Sequence, residues 1–233
     1  MDFFTKGLDK MTKKHFFEAI LKFLSGAILT GLLIFLPAGT FSFFNGWLLM
    51  GILFLPMFFA GIIMCFKNPE LLKRRLKSKE TQKEQRWVIF LSAVMFILGF
   101  IVAGLDFRFG LSNLPNGLII SGVLVFLFAY ILYGEVIREN AYLSRTIETT
   151  KNQKVIDTGL YSLIRHPMYL SAIILFLSMP IILGSFLAFL IFLAFPFIII
   201  KRIKAEEKFL ENNLSGYREY KEKVKYKLIP FVW

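Results

Sequence analysis

Four apolar runs, each long enough to cross a lipid bilayer, dominate this sequence. They lie at residues 20–37, 43–66, 87–105 and 114–137. The hydrocarbon core of a bilayer is about 30 Å thick, which an α-helix crosses in about 20 residues. Because lipid offers the backbone no hydrogen-bond partner, such runs are stable there as helices, whose backbone groups are satisfied within the segment. We therefore predict four transmembrane helices.

A fifth apolar run, residues 168–200, is 33 residues long and is interrupted near its middle by Pro180, Gly184 and Ser185. Proline and glycine mark a turn at this position. The run therefore predicts a hairpin of two short helices of about 16 residues, or about 24 Å, each. Such arms are short for a full crossing, so the depth of the hairpin stays open.

The composition agrees with an integral membrane protein. The chain of 233 residues is 56% hydrophobic, contains 28 phenylalanines and has a mean hydropathy of +0.62, above the usage of a soluble domain. The net charge of +12 does not indicate a nucleic-acid partner, because 26 of the 28 lysines and arginines lie in residues 1–18, 67–86, 138–167 and 201–233. The positive-inside rule then places both termini in the cytoplasm. The abundance of Lys, Ile and Phe is typical of a prokaryotic plasma membrane protein.

The predicted fold class is an all-α integral membrane protein of about six transmembrane helices. It comprises four long spans, the short hairpin and an amphipathic cytosolic helix over residues 201–220, where apolar residues recur at helical spacing. We predict a single membrane domain, residues 1–233, with a four-helix part at 1–137 and a site-bearing part at 138–233.

The lone Cys65 rules out an intrachain disulfide and a Cys/His metal cluster, so we expect no metal.

A polar segment, residues 159–169, stands between apolar runs and includes Tyr161, Arg165, His166 and Tyr169. The hairpin that follows should bring Arg202, Glu206 and Glu207 to the same membrane face. Polar groups at such a depth are costly unless they bind something. Pro167 is placed as at the first turn of a helix, whose free N–H groups, beside Arg165 and His166, would suit an anion.

The same residues also have an ordinary interpretation. Arg165 could extend to lipid headgroups, His166 could cap the helix, and Tyr161 and Tyr169 could belong to an interfacial aromatic belt. Paired glutamates are common on solvated helix faces. The two interpretations stay open on these residues alone.

The ordered pattern resembles a known family. Gly159-x-Tyr161-x-x-x-Arg165-His166-Pro167-x-Tyr169, an apolar hairpin, Arg202-x-x-x-Glu206-Glu207, Tyr217-x-x-Tyr220 and a late Ile229-Pro230 are similar to the isoprenylcysteine carboxyl methyltransferases, which are membrane enzymes. The resemblance covers residues 138–233. The first four helices carry no motif of this kind.

The resemblance implies an S-adenosylmethionine site in the C-terminal part and a lipophilic methyl acceptor, a carboxylate or an amine, that arrives from the membrane lipids. It implies that Arg202 faces the acceptor. An amine acceptor would need a general base, for which Glu207 and His166 are the candidates. The residues expected to contact the cofactor are Glu148, Lys154, Val155, Ile156, Tyr161, Arg165, His166, Pro167, Met168, Tyr169 and Glu206.

Two other functions remain open. Membrane reductases of the sterol type share a similar tyrosine and Arg-His-Pro-like pattern but bind a nicotinamide dinucleotide, and the acidic pair Glu206 and Glu207 would repel its phosphates. A non-catalytic membrane scaffold is the second alternative. No Gly-x-Gly-x-x-Gly follows a strand, which argues against a Rossmann-type cofactor site.

Overall fold

The computed structural model describes residues 13–76, 83–144, 146–147, 149 and 153–233. These residues form α-helices and one short 3-10 helix, Gly159–Ser162, and no strand occurs among them. The predicted all-α fold class is confirmed. The helices are α1 Lys13–Ala38, α2 Phe44–Lys67, α3 Pro69–Leu76, α4 Lys83–Phe109, α5 Asn116–Glu139, α6 Pro167–Ile182, α7 Phe186–Phe192, α8 Ala194–Asn213 and α9 Tyr217–Lys223.

Five helical segments are long and apolar enough to cross a membrane: Phe16–Ala38, Phe44–Lys67, Gln85–Phe109, Asn116–Glu139 and Phe186–Asn213. The first four correspond to the four predicted spans. The shorter apolar helix Pro167–Ile182 is the first arm of the predicted hairpin.

The hairpin turns at Gly184, whose φ of 76° is accessible to glycine at little cost. Ser185 caps the second arm, because its Oγ accepts a hydrogen bond from the N–H of Ala188 at 3.0 Å. This arm is longer than predicted: it runs through α7 and α8 to Asn213. Pro196 does not end it, since it lies in the first turn of α8, where proline is tolerated. The predicted amphipathic cytosolic helix is therefore the continuation of the second hairpin arm, and α9 follows separately.

Small residues let the helices pack closely. A Cβ atom on Gly104 of α4 would lie 2.5 Å from the carbonyl oxygen of Ile34 in α1, closer than real atoms approach. Such contacts are typical of helix pairs in membranes.

At the end of the bundle that carries the hairpin turn, the buried Asp106 accepts hydrogen bonds from the N–H and Oγ of Ser112, both at 2.6 Å, and from Ser185. The carboxylate thus ties α4 to the hairpin turn, and the polar residues 159–169 lie at the other end.

Candidate active site

A cavity of about 850 Å³, including its open mouth, lies at the end of the bundle that carries the polar segment. Its walls come from the loop after α5, the 3-10 helix, the start of α6, and α8 with α9. The candidate site residues that line it are Lys154, Val155, Ile156, Tyr161, Arg165, His166, Met168, Tyr169, Arg202 and Glu206. The hairpin therefore brings the two polar segments together, as the sequence predicted.

Two candidate residues are placed differently. Pro167 is buried at the start of α6, and Glu207 is buried in α8; neither lines the cavity. Glu148 lies outside the described residues. Their predicted roles stay predictions.

Tyr161 is held at the cavity wall by the 3-10 helix. The backbone enters this helix through Gly159 at a φ of 54°, where a Cβ atom would lie 1.6 Å from Oε1 of Glu139. Glu139 instead accepts a hydrogen bond from the N–H of Leu160 at 2.9 Å. The hydroxyl of Tyr161 accepts a bond from Nδ2 of Asn140 at 3.0 Å. Burial raises the pKa of Tyr161, so its hydroxyl stays protonated and can donate to a ligand.

Arg202, Tyr169 and Glu206 form one hydrogen-bonded chain along the cavity wall. Nε of Arg202 donates to the hydroxyl of Tyr169 at 2.8 Å, and that hydroxyl donates to Glu206. The guanidinium carbon of Arg202 also lies 5.8 Å from the centre of the Tyr169 ring, within the range of a cation–π contact. Because the phenol bridges the cation and the carboxylate, all three side chains are held in fixed positions.

Arg165, which lines the cavity, forms a buried ion pair with Glu207, which lies behind the wall. Nε of Arg165 donates to Oε1 of Glu207 at 2.7 Å, and the two side chains are 3% and 5% exposed. Nε2 of His166 lies 3.3 Å from the same oxygen, and Nζ of Lys227 lies 3.3 Å from the other. Glu207 is thus surrounded by cationic or hydrogen-bonding groups.

Arg165 also fixes the C-terminal segment. Its guanidinium donates to the carbonyl oxygens of Val224 and Lys225, at 2.6 and 3.0 Å. The backbone N–H groups of Arg165 and His166 donate to the carbonyls of Tyr226 and Lys227, both at 2.9 Å. Residues 224–227 are therefore bound to the segment that precedes α6.

The predicted anion site at the start of α6 has fewer free donors than expected. The N–H of His166 is donated to Lys227, and those of Tyr169 and Leu170 are donated to the carbonyl of His166 at 3.0 and 3.2 Å. Since the guanidinium of Arg165 is already paired with Glu207, an anion in the cavity would depend on side chains such as Lys154 instead.

Sequence reasoning did not assign a role to Tyr217. This residue is 4% exposed and lines the cavity, and within the described part of the chain its hydroxyl has no hydrogen-bond partner. Buried hydroxyls are normally paired, so a group bound in the cavity would satisfy it. The sequence feature that could have indicated a role for Tyr217 is its spacing from Tyr220, which puts both tyrosines on one helix face. Other lining residues that were not predicted are Asn140, Tyr142, Leu143, Ser144, Thr146, Ile147, Gln153, Leu210, Leu214 and Tyr220.

No group of three or more His, Cys, Asp or Glu side chains that could hold a metal ion occurs among the residues the structure describes. Among the described lining residues, the character of the cavity is aromatic and hydrogen-bonding, with one carboxylate, Glu206, and the cations Lys154, Arg165 and Arg202. Such a site suits an organic ligand that carries both charges.

Comparison with known proteins gives a family match over the part of the chain that contains most of the cavity lining. Residues 118–216 match the family model described as phospholipid methyltransferase. The chain is similar to the solved structure of a eukaryotic intramembrane Ras methyltransferase, isoprenylcysteine carboxyl methyltransferase, with a TM-score of 0.56 and 20% identity, over 90% of this chain and 74% of that one. This likeness shows a shared fold. The predicted resemblance to membrane methyltransferases is confirmed by these two matches.

A curated relative is the Delta(14)-sterol reductase of Mus musculus. It is 30% identical over 91 residues, which cover 38% of this chain and 22% of the reductase. The chain thus matches less than a quarter of the length of that relative.

Proposed function

We propose that this chain is an integral, multi-pass membrane methyltransferase that transfers a methyl group from S-adenosylmethionine to a lipophilic acceptor at the cytosolic face of the membrane. The observation that carries the proposal is the cavity of about 850 Å³. Most of its lining residues fall within residues 118–216, which match the phospholipid methyltransferase family model.

The residues present fit the chemical groups of this cofactor. Glu206 offers an acceptor for an ammonium group or for ribose hydroxyls, and Lys154 offers a cation for a carboxylate. Tyr142, Tyr161 and Tyr169 offer ring faces for an adenine. The buried hydroxyl of Tyr217, which has no partner among the described residues, offers a donor that a bound molecule would satisfy.

When bound, S-adenosylmethionine supplies a methyl group on a positively charged sulfur, which departs with the bonding electron pair. The protein's task is then to align the acceptor with that methyl group and to exclude water. Arg202, held by Tyr169 at 2.8 Å, orients an acceptor carboxylate or phosphate beside the cofactor. An amine acceptor must first lose a proton. His166, which lines the cavity, is better placed to accept it than Glu207, which does not.

A second candidate is a nicotinamide-dependent membrane reductase, which the 30% identity to the sterol reductase favours. Such a cofactor carries several phosphates. Among the described lining residues, Arg165 is already neutralised by Glu207 at 2.7 Å, and Glu206 adds a negative charge to the wall. The charge balance therefore favours the methyl donor, which is zwitterionic with an additional positive sulfur.

Calorimetric titration of the purified protein with S-adenosylmethionine, S-adenosylhomocysteine and NADPH tests the proposal. We expect saturable binding of the first two. Tyr217→Phe should weaken it about 2- to 13-fold, the value of one neutral hydrogen bond. Tyr226→Phe is the matched control, because Tyr226 lies outside the cavity. Binding of NADPH without binding of S-adenosylmethionine would contradict the proposal.

A second experiment separates cofactor binding from acceptor positioning. Protein reconstituted in lipid vesicles is supplied with S-adenosylmethionine labelled in its methyl group, and label transferred to the lipid fraction is measured. Arg202→Gln should lower turnover more than it lowers cofactor affinity, because its role is to orient the acceptor. Equal losses of both would show that Arg202 serves the cofactor instead.

A further inference from the structure

A second cavity, of about 1170 Å³ including its open mouth, lies between α4 and α8. It is formed by the start of α4 and by a face of α8 different from the one that lines the first cavity. At 100° per residue, the face with Lys201, Lys204 and Lys208 is separated by about 150°, or about two fifths of a turn, from the face with Arg202 and Glu206. The two cavities therefore share α8 but open on different sides of it.

The mouth of this second cavity is positively charged. Lys201, Lys204 and Lys208 line it, are exposed, and are spaced three and four residues apart, which aligns them along one helix face. None of the described residues that line it is acidic. Three adjacent cations without a carboxylate between them repel one another, so an anion bound there would be favoured.

The inner wall contains a buried amide that lacks a partner. Gln85 lines the cavity and is 0% exposed. Neither its Nε2 nor its Oε1 has a hydrogen-bond partner in the described part of the chain. A buried amide without partners is rare and costly in native proteins. This observation is independent of the lysines and also indicates a polar ligand at the cavity.

The floor of the cavity has the character of the membrane interior. Val88 and Leu91 belong to the span Gln85–Phe109, and Ile198 belongs to the span Phe186–Asn213. Trp87, which is 67% exposed beside them, is the residue type that favours the interface between hydrocarbon and headgroups. The cavity therefore has an apolar part at the depth of acyl chains and a basic part at the depth of headgroups.

We propose that this cavity binds an anionic phospholipid, with its phosphate against Lys201, Lys204 and Lys208, a headgroup hydroxyl or phosphate oxygen at the amide of Gln85, and an acyl chain along Val88, Leu91 and Ile198. The apolar floor favours a lipid over a soluble phosphate. The site is separate from the cofactor cavity and does not depend on the function proposed for it.

Native mass spectrometry of the purified protein in detergent, titrated with phosphatidylglycerol or phosphatidylcholine, tests the site. We expect tighter binding of phosphatidylglycerol, and a weakening of about fivefold in Lys204→Gln, the value of one lysine near a lipid surface. Lys225→Gln, which removes an exposed lysine outside the cavity, should change nothing. Equal effects of the two substitutions, or equal binding of the two lipids, would overturn the proposal.

Gln85→Leu provides a second measurement. Without lipid it should raise the unfolding temperature, because it removes a buried polar group that has no partner. With phosphatidylglycerol the additional stabilisation should be smaller than in the unaltered protein, since one lipid contact is lost. An unchanged lipid-dependent shift would show that Gln85 does not contact the headgroup.

Glycerol phosphate should not compete with phosphatidylglycerol for the cavity. If it competes as well as the lipid binds, the acyl chain makes no contact and the lipid assignment is wrong.

Discussion

Removal of the carboxylate of Glu207 should destabilise the fold rather than only slow the reaction. Its partner Arg165 is 3% exposed and lies 2.7 Å away, so loss of the carboxylate leaves a guanidinium buried without its counter-charge. Breaking such a pair costs about 3–5 kcal/mol. For a chain of this size each kcal/mol shifts the unfolding temperature by about 2–4 °C, so Glu207→Ala should lower it by about 6–20 °C.

The assay is thermal unfolding in detergent micelles, followed by circular dichroism. Glu211→Gln is the matched control on the same helix. Its pair with Lys221 at 2.5 Å has side chains 29% and 42% exposed, and exposed pairs contribute about 0–1 kcal/mol. Suppose Glu207→Ala unfolds within the range of this control while methyl transfer is lost. Glu207 would then act in the chemistry, and the reasoning from burial would be refuted.

A double substitution sharpens the argument. Arg165→Met combined with Glu207→Leu leaves neither charge buried, so it should unfold at a higher temperature than Glu207→Leu alone. The recovery should be incomplete, because Arg165 also donates to the carbonyls of Val224 and Lys225. Each buried carbonyl left unpaired costs about 1–3 kcal/mol. A double variant less stable than either single one would contradict the assignment of a buried ion pair.

Three further substitutions test the packing and the polar contacts. Gly159→Ala should weaken the proposed cofactor binding measured by calorimetry, because alanine is strained at a φ of 54° and the new Cβ would displace the carboxylate of Glu139 from the N–H of Leu160; binding at unchanged affinity would contradict the described turn. Gly104→Val should lower the unfolding temperature by several degrees, because overpacking costs about 1–3 kcal/mol. Gly117→Val is its control: an added Cβ there would meet no other part of the described chain within 4 Å, so its effect on the unfolding temperature should be a small fraction of that of Gly104→Val. Asp106→Ala should destabilise the chain by about 2–5 kcal/mol, because three hydrogen bonds to a buried carboxylate are lost. An unchanged unfolding temperature in Asp106→Ala would show that the carboxylate is not needed at the hairpin turn.

Much of the architecture could be predicted because membrane crossing imposes a length that is visible in the chain. The four long runs and the break at Pro180 and Gly184 report directly on helices and a turn. The continuation of the hairpin through Ala194 to Asn213 could not be read in this way. Apolar and charged residues adjoin there without a stop signal, and helices continue unless a cap or a neighbour ends them.

The candidate site was predicted in part for a similar reason. Tyr161, His166 and Tyr169, and then Arg202 and Glu206, flank one hairpin, so topology alone places them at one end of the bundle. The pairing of Arg165 with Glu207 depends on how α8 is rotated about its axis, which a 3.6-residue period does not specify. This rotation is why adjacent glutamates differ, Glu206 in the cavity wall and Glu207 buried behind it.

The bonds from Arg165 and His166 to residues 224–227 also determine when the site can form during synthesis. Partners that lie about 60 residues apart cannot meet until the later segment has been translated. The spans up to α8 precede that segment, so they can be inserted in the bilayer before the cavity wall is closed. A ligand of this cavity can therefore be retained only after residues 224–227 have been translated. A chain that stops before residue 224 should be inserted yet remain unable to retain ligand, because Arg165 and His166 lack these partners.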